Sequence, residues 1–411
     1  MKLKLNQLTL FDYLIDNPVL ICVKELVENK VKKNKYYELV RLLLDANQSF
    51  TEYVIYHMIQ DANSKLMQII NQKETNPYLK SCLENDLKIL AKIMSINLDA
   101  LCELANDEGH ILAKMEHEPI NHKQGVISAH KSFFNRIDSL ELDHRAEIFV
   151  GILKKYGVGR FALNHGFLVK TSENEPEFIG IENIVTLDWD EIYLYERQKN
   201  ALFKNTKAFV EGYSSQNALL VGGSGTGKST SVKTVAKLFA QEGLRLVQMQ
   251  KGQLIYLPKV LSVIKNQGFR FILFIDDLSF EANEDEYKFL KSFIEGSISD
   301  DLSNVVFYVT SNRRHLIKEI RTERENDIHL QDFIQEMTSL SDRFGLTLIY
   351  ENLDQKEYFS MVKAMAEKEG LSIEEEQLIH DARIYAMRHG KMSGRVANQF
   401  IKQVKLDVQT T

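Results

Sequence analysis

Residues 222–229 read Gly-Gly-Ser-Gly-Thr-Gly-Lys-Ser, a full match to the phosphate-binding loop pattern G-x-x-x-x-G-K-[ST]. No other string in the chain constrains the fold so strongly. Such a loop must leave a buried strand and enter a helix, because its N–H groups converge on an anion at the positive end of that helix. Both neighbours are present. Ala218-Leu219-Leu220-Val221 reads as a short buried strand, and Thr230 to Ala240 reads as a helix. The expected phosphate cradle is Gly222, Gly223, Ser224, Gly225, Thr226, Gly227, Lys228, Ser229 and Thr230. Lys228 supplies a mobile cation for β- and γ-phosphates, and Ser229 a hydroxyl for Mg2+. The pattern therefore points to a nucleoside triphosphate, ATP, with Mg2+ as its companion ion.

The chain has 411 residues, enough for two or three domains with sizeable cores. Its formal net charge of −6 gives no global basic excess that would advertise nucleic acid or an acidic membrane, although local patches stay open. Three widely spaced cysteines, Cys22, Cys82 and Cys102, show no zinc or redox spacing and read as reduced, packed thiols. Asn6, Asp12, Asp16 and Asn17 interrupt any signal-peptide core, and no apolar run reaches membrane-spanning length. The expected location is cytoplasmic, with no membrane partner.

Residues 1–150 read as mainly helical. The segment 37–44 and the stretch from Leu83 to Ile96 carry apolar residues at spacings of three and four, with Leu83, Leu87, Leu90 and Met94 on one face. Residues 151–187 read as a connector, with Phe161-Ala162-Leu163 and Phe167-Leu168-Val169 as short extended pieces and a turn near Pro176. From 188 to 352 helices alternate with nearly all-apolar strands: 218–221, 244–249, 269–275, 304–309 and 346–350. That pattern predicts an α/β fold with a five-stranded parallel sheet covered on both faces. Residues 353–411 read as helices over 355–368, 373–389 and 393–408, and a further helix is expected near Tyr287 to Glu295.

The strand Phe271–Ile275 ends in Asp276-Asp277, at the carboxyl edge where ligands bind in such sheets. Asp276 is the candidate Mg2+ ligand, and Asp277 the candidate for activating the attacking water. One strand later Val309-Thr310-Ser311-Asn312 ends in an amide able to bond that water or the γ-phosphate. Ser339-Leu340-Ser341-Asp342-Arg343-Phe344-Gly345 puts an arginine before the last strand, and Ser393-Gly394-Arg395 opens the last helix.

In this order, the P-loop, acid pair, polar strand end, Arg-Phe string and late arginine resemble the AAA+ ATPase module over roughly residues 150 to 405. The strings 274–280, 310–316 and 339–345 closely resemble an uncharacterised bacterial ATP-binding family, distantly similar to replication initiators and helicase loaders. The resemblance implies a P-loop AAA+ core, a C-terminal helical lid and a mainly helical N-terminal domain for partner recognition. It implies sensor roles for Asn312 and Arg395. It matches Arg343 to the arginine finger that reaches a neighbouring subunit's γ-phosphate, with Arg313 and Arg314 as rivals. A finger supplied in trans implies a homo-oligomer, ring or filament. The departure is Asp277, where most active members carry glutamate; the shorter side chain implies slower turnover, or help from Glu281.

Other features carry less. His110, His117, His122 and His130 match no helical metal-ligand pair and read as solvated or capping residues. The basic run at Lys30–Lys35 sits among acids and reads as a charged face. Gln250–Tyr256 lacks the residue order of a protein-threading loop, and 296–303 is too short for an unfoldase hairpin. The expected function is an ATPase that remodels or loads a macromolecular partner. An ATP-dependent assembly switch with little hydrolysis is the main alternative. A P-loop small-molecule kinase fits poorly, because the late helices and Arg343-Phe344 do not read as a lid over a phosphate donor.

Overall fold

The computed structural model describes residues 2–28, 33–60, 64–71, 76–117, 125–172, 175–181, 183–265, 267–278, 290, 294, 302–312 and 343–410. Arg313, Arg314, Glu281, His122 and most of the expected helix near 287–295 lie outside the described residues. The chain forms two compact units, 1–164 and 165–411.

The first unit is helical: α1 (Pro18–Glu28), α2 (Lys33–Ala46), α3 (Phe50–Gln60), α4 (Ser64–Asn71), α5 (Pro77–Met94), α6 (Leu98–Ala105), α7 (Ile111–His117), α8 (Val126–Arg136), α9 (Leu142–Tyr156) and α10 (Arg160–Leu163). Helix α5 shows why. Asn76 caps it by accepting from the Tyr78 N–H, Pro77 opens the first turn, and Leu83, Leu87 and Leu90 form a buried face. Asp86 is buried between those leucines. Its carboxylate accepts the backbone N–H groups of Thr9, Leu10 and Phe11 at 2.9, 2.7 and 3.2 Å, tying the N-terminal segment to the core. The sequence expectation of an extended piece at 161–163 is corrected: those residues form α10. Three consecutive apolar residues carry no period, and burial of all three suits one helical turn as well as a strand.

His130, on α8, is 1% exposed, with its Nδ1 2.7 Å from the Val126 carbonyl. Burial pushes the ring from its ordinary 6.5 down to about 4. Between these values the unfolded chain binds the proton and the native chain does not. Stability is therefore full above pH 6.5 and falls as pH drops toward 4, by roughly 3 kcal/mol. Denaturant unfolding of wild type and His130→Gln at pH 7.5 and 4.5 checks this. Wild type is expected to lose more stability than the variant over the interval, and equal losses would refute the assignment.

The second unit opens with a hairpin, β1 (Gly166–Ser172) and β2 (Glu175–Ile181), followed by α11 (Glu196–Glu211). The core then runs β3 (Ala218–Gly222), α12 (Lys228–Leu238), β4 (Leu244–Met249), α13 (Leu257–Ile264), β5 (Arg270–Ile275), β6 (Val305–Ser311) and β7 (Leu346–Tyr350). Three helices follow: α14 (Gln355–Lys368), α15 (Glu375–Arg388) and α16 (Gly394–Thr410). The strand order is β2-β1-β4-β5-β6-β3-β7, antiparallel only between β1 and β2. Among the described residues the expected five strands become seven. The hairpin read as connector pairs through Gly166–Leu168 with Leu246–Gln248 of β4 and extends the sheet. Pro176 and Gly180 in β2 blur its strand signal in the sequence.

Strands β4, β5 and β6 are almost wholly buried, as near-continuous apolar runs between two helical layers should be. Parallel registers align Gly222 with Tyr350, Val221 with Ser311, and Ile275 with Val309. The carboxyl ends of β3, β5, β6 and β7 thus lie side by side. The last three helices share their own core of Tyr358, Val362, Ala382, Ala397 and Phe400. Among the described residues no helix is long and apolar enough to cross a membrane.

Candidate nucleotide site

The P-loop joins β3 to α12 under tight steric control. Gly222 has φ +154°, and a Cβ there would run into the Tyr350 carbonyl of the neighbouring strand. Gly225, at the loop's crown, lies under the lid: a Cβ there would meet Ser393 Oγ at 3.0 Å and Arg395 Cβ at 3.3 Å. The loop is held from within by Thr226, whose hydroxyl donates to the Gly223 carbonyl at 2.9 Å. Lys391 reaches it from the lid side, 3.4 Å from the Ser224 carbonyl.

Lys228 is buried at 6% exposure. Its ammonium donates to the Gly222 and Gly223 carbonyls, both at 2.8 Å, and to Asn312 Oδ1 at 3.1 Å. Burial pulls its pKa below the usual range; Asp277 and Asp276 pull the other way, while Arg395 and Lys391 add to the effect of burial. Asn312 turns its other end to Asp277, donating its amide N–H to the carboxylate. One amide therefore bridges the loop cation and the candidate base.

Ser229, the first residue after that lysine on α12, donates its hydroxyl to Asp276 Oδ1. The two candidate metal ligands are adjacent oxygen donors. Mg2+ binds through one or two protein oxygens together with phosphates and waters, so this pair fits it. Among the described residues no cluster of three His, Cys, Asp or Glu offers an all-protein cage. When bound, Mg2+ supplies neutralising charge at the phosphates.

A cleft of about 620 Å3 unites these groups. Its floor is the P-loop with Asp276, Asp277 and Asn312, and its roof is the lid, through Met361, Arg395 and Lys402. Thr230 also lines it. Ile192, Tyr193 and Tyr195, from the segment before α11, close one wall. Tyr195 takes the left-handed conformation at φ +60°, packs its ring tilted against that of Tyr350 with centroids 4.8 Å apart, and donates its hydroxyl to the Glu351 carbonyl. The sequence reading missed this wall, and it also missed Thr310. The signal for the first was the aromatic string Tyr193-Leu194-Tyr195 just before a helix. Thr310 was signalled only by a hydroxyl in an otherwise apolar strand.

Arg343 does not line this cleft. It is exposed in the turn before β7, at the amino end of a strand whose carboxyl end abuts the P-loop. Gly345, two residues on, sits against Gln216 ahead of β3. The structure therefore brings Lys228, Ser229, Asp276, Asp277, Asn312 and Arg395 together and leaves Arg343 elsewhere on the unit.

The family model described as "Protein of unknown function (DUF815)" matches residues 163–407, more than half of the chain. The chain belongs to the DUF815 family. The match begins at Leu163, the last residue of α10, and ends in the last helix, so the DUF815 region spans nearly all of the second unit. No curated protein matches the chain. Among solved structures it is similar to Thermotoga maritima RuvB. One point mutant of that protein, a proline-to-glycine change, is 19% identical, over 54% of this chain and 66% of that one, with a TM-score of 0.37. Another, a lysine-to-arginine change, is 17% identical, over 53% and 72%, with a TM-score of 0.32. A third structure, described as a Holliday junction branch migration motor, is 16% identical over 53% and 72%, with a TM-score of 0.32. The chain spans just under two thirds of the first of these. At such scores the likenesses say nothing of what this DUF815 chain acts on. Its own topology carries the fold: a mostly parallel sheet with the P-loop leaving an interior strand next to the edge strand β7, acids just beyond β5, an amide just beyond β6 and three helices after β7, a P-loop α/β core.

Proposed function

We propose that this chain binds Mg–ATP in the cleft and hydrolyses it at a site completed by Arg343 of a second copy. The energy would go to remodelling or loading a macromolecular partner recognised by the helical first unit. The observation that carries the reading is the hydrogen-bonded cluster of Lys228, Asn312 and Asp277, beside Ser229 and Asp276, at the mouth of the P-loop. In the proposed complex the P-loop N–H groups and Lys228 hold the phosphates. Ser229 and Asp276 hold the metal, Asp277 takes the proton of the attacking water, and Asn312 positions that water. Arg395, facing the cleft from the lid, reads the phosphates and couples them to α16.

A second reading, an assembly switch with little turnover, is favoured by one specific feature. The Asp277 carboxylate is already engaged by Asn312, and its side chain is a methylene shorter than glutamate. Phosphate release measured against protein concentration separates the two. A shared site predicts a specific rate that rises as copies assemble and falls about a hundredfold or more in Asp277→Asn. A rate at background at every concentration, with ATP still bound, would leave the switch.

A further inference from the structure

Strand β6 is buried along its whole length, where a β-branched apolar residue is the default and a hydroxyl must find partners. Thr310, 1% exposed, finds them on the two acids at once. Its Oγ1 donates to Asp276 Oδ1 at 2.6 Å and accepts the Asp277 backbone N–H at 2.9 Å. Its carbonyl accepts the Leu278 N–H at 2.8 Å. Three successive residues beyond β5 are thus tied to one residue of β6, just past the last ladder pair, Ile275 with Val309.

The tie has two consequences. Asp276 Oδ1 receives hydroxyls from both Thr310 and Ser229, which fixes the rotation of the carboxylate. Asp277 sits in the left-handed region at φ +55°, which a non-glycine residue adopts only against a cost of about 1–2 kcal/mol. The bonds to Thr310 on either side of that residue hold the chain there and aim the Asp277 side chain back over the strand ends toward Asn312.

We propose that Thr310 is a positioning residue for both acids, and that its hydroxyl, not its volume, sets the metal affinity of the site. The proposal rests on the Mg–ATP reading above and extends it to a residue whose hydroxyl is committed to the two acids. Partners that orient a metal ligand in this way typically change metal affinity by about 10- to 100-fold.

Equilibrium binding of N-methylanthraniloyl-ATP, with Mg2+ and with EDTA, tests it in wild type, Thr310→Val, Thr310→Ala and Thr310→Ser. Wild type is expected to bind more tightly with Mg2+. Valine keeps the shape and alanine relieves any crowding by the added methyl, yet both are expected to lose about tenfold or more of the Mg2+-dependent gain. Their affinity in EDTA should stay within about twofold of wild type, and serine should keep the full gain. A full Mg2+ response in valine and alanine overturns the proposal. So does an equal loss in the serine variant, which would mean that packing matters and the hydroxyl does not. Wild type that binds no nucleotide under either condition would instead overturn the Mg–ATP reading, and this proposal with it.

Discussion

Lys228→Ala is expected to weaken ATP binding by roughly two orders of magnitude while leaving the fold intact. Charge-assisted contacts of an ammonium with phosphate contribute about 1.5–3 kcal/mol each, so losing the cation costs on the order of 100-fold in affinity. The variant should lose nothing in stability. Lys228 is buried and held at a depressed pKa by desolvation, with its contacts going to two loop carbonyls and an amide. Truncation removes a desolvated charge and opens three polar groups to water in the cleft. Isothermal titration with Mg–ATP and a thermal melt without nucleotide check both halves. Unchanged affinity would end the P-loop assignment, and a large drop in melting temperature would show that the lysine is structural.

Arg343→Ala is expected to show the reverse: ATP bound as in wild type, with hydrolysis down by about a thousandfold or more. The residue is exposed and lies away from its own cleft, so neither affinity nor melting temperature should move much. Mixing gives the sharper test. A Lys228→Ala copy retains Arg343, and an Arg343→Ala copy retains the P-loop. If the arginine acts in trans, two inactive preparations should recover activity when combined. Normal turnover by Arg343→Ala alone would remove the residue from the site, and absence of recovery on mixing would remove the shared geometry.

What the sequence made legible follows from how far each signal extends along the chain. The P-loop is a continuous string flanked by its own strand and helix, so residues 218–238 carry their fold locally. Asp276 and Asn312 stand at the ends of apolar runs, and chain order alone places such ends on one edge of a parallel sheet. Thr310 could not be assigned in that way. Its partners are 33 and 34 positions away, and its role exists only because β5 and β6 pair in one register. The extended piece at 167–169 and the turn before Pro176 were legible, but the hairpin's entry into the sheet was missed for a related reason. Its joining edge is three residue pairs with β4, and nothing in its composition says which sheet it enters. The short helix at 160–163 shows the limit of periodicity: one turn is too short to have a period.

Strand β7 carries a consequence of its own. Its carboxyl end, at Tyr350, is wedged against Gly222 so closely that no side chain fits between them, while its amino end follows the turn holding Arg343. Five residues of extended chain span about 17 Å. Under the proposed shared-site arrangement, each copy would hold its own phosphates at one end of this strand and lend its arginine from the other. The spacing between consecutive sites would then be set by a stiff ruler cut from the sheet itself, and a motion at one end would arrive at the other undamped by any loop.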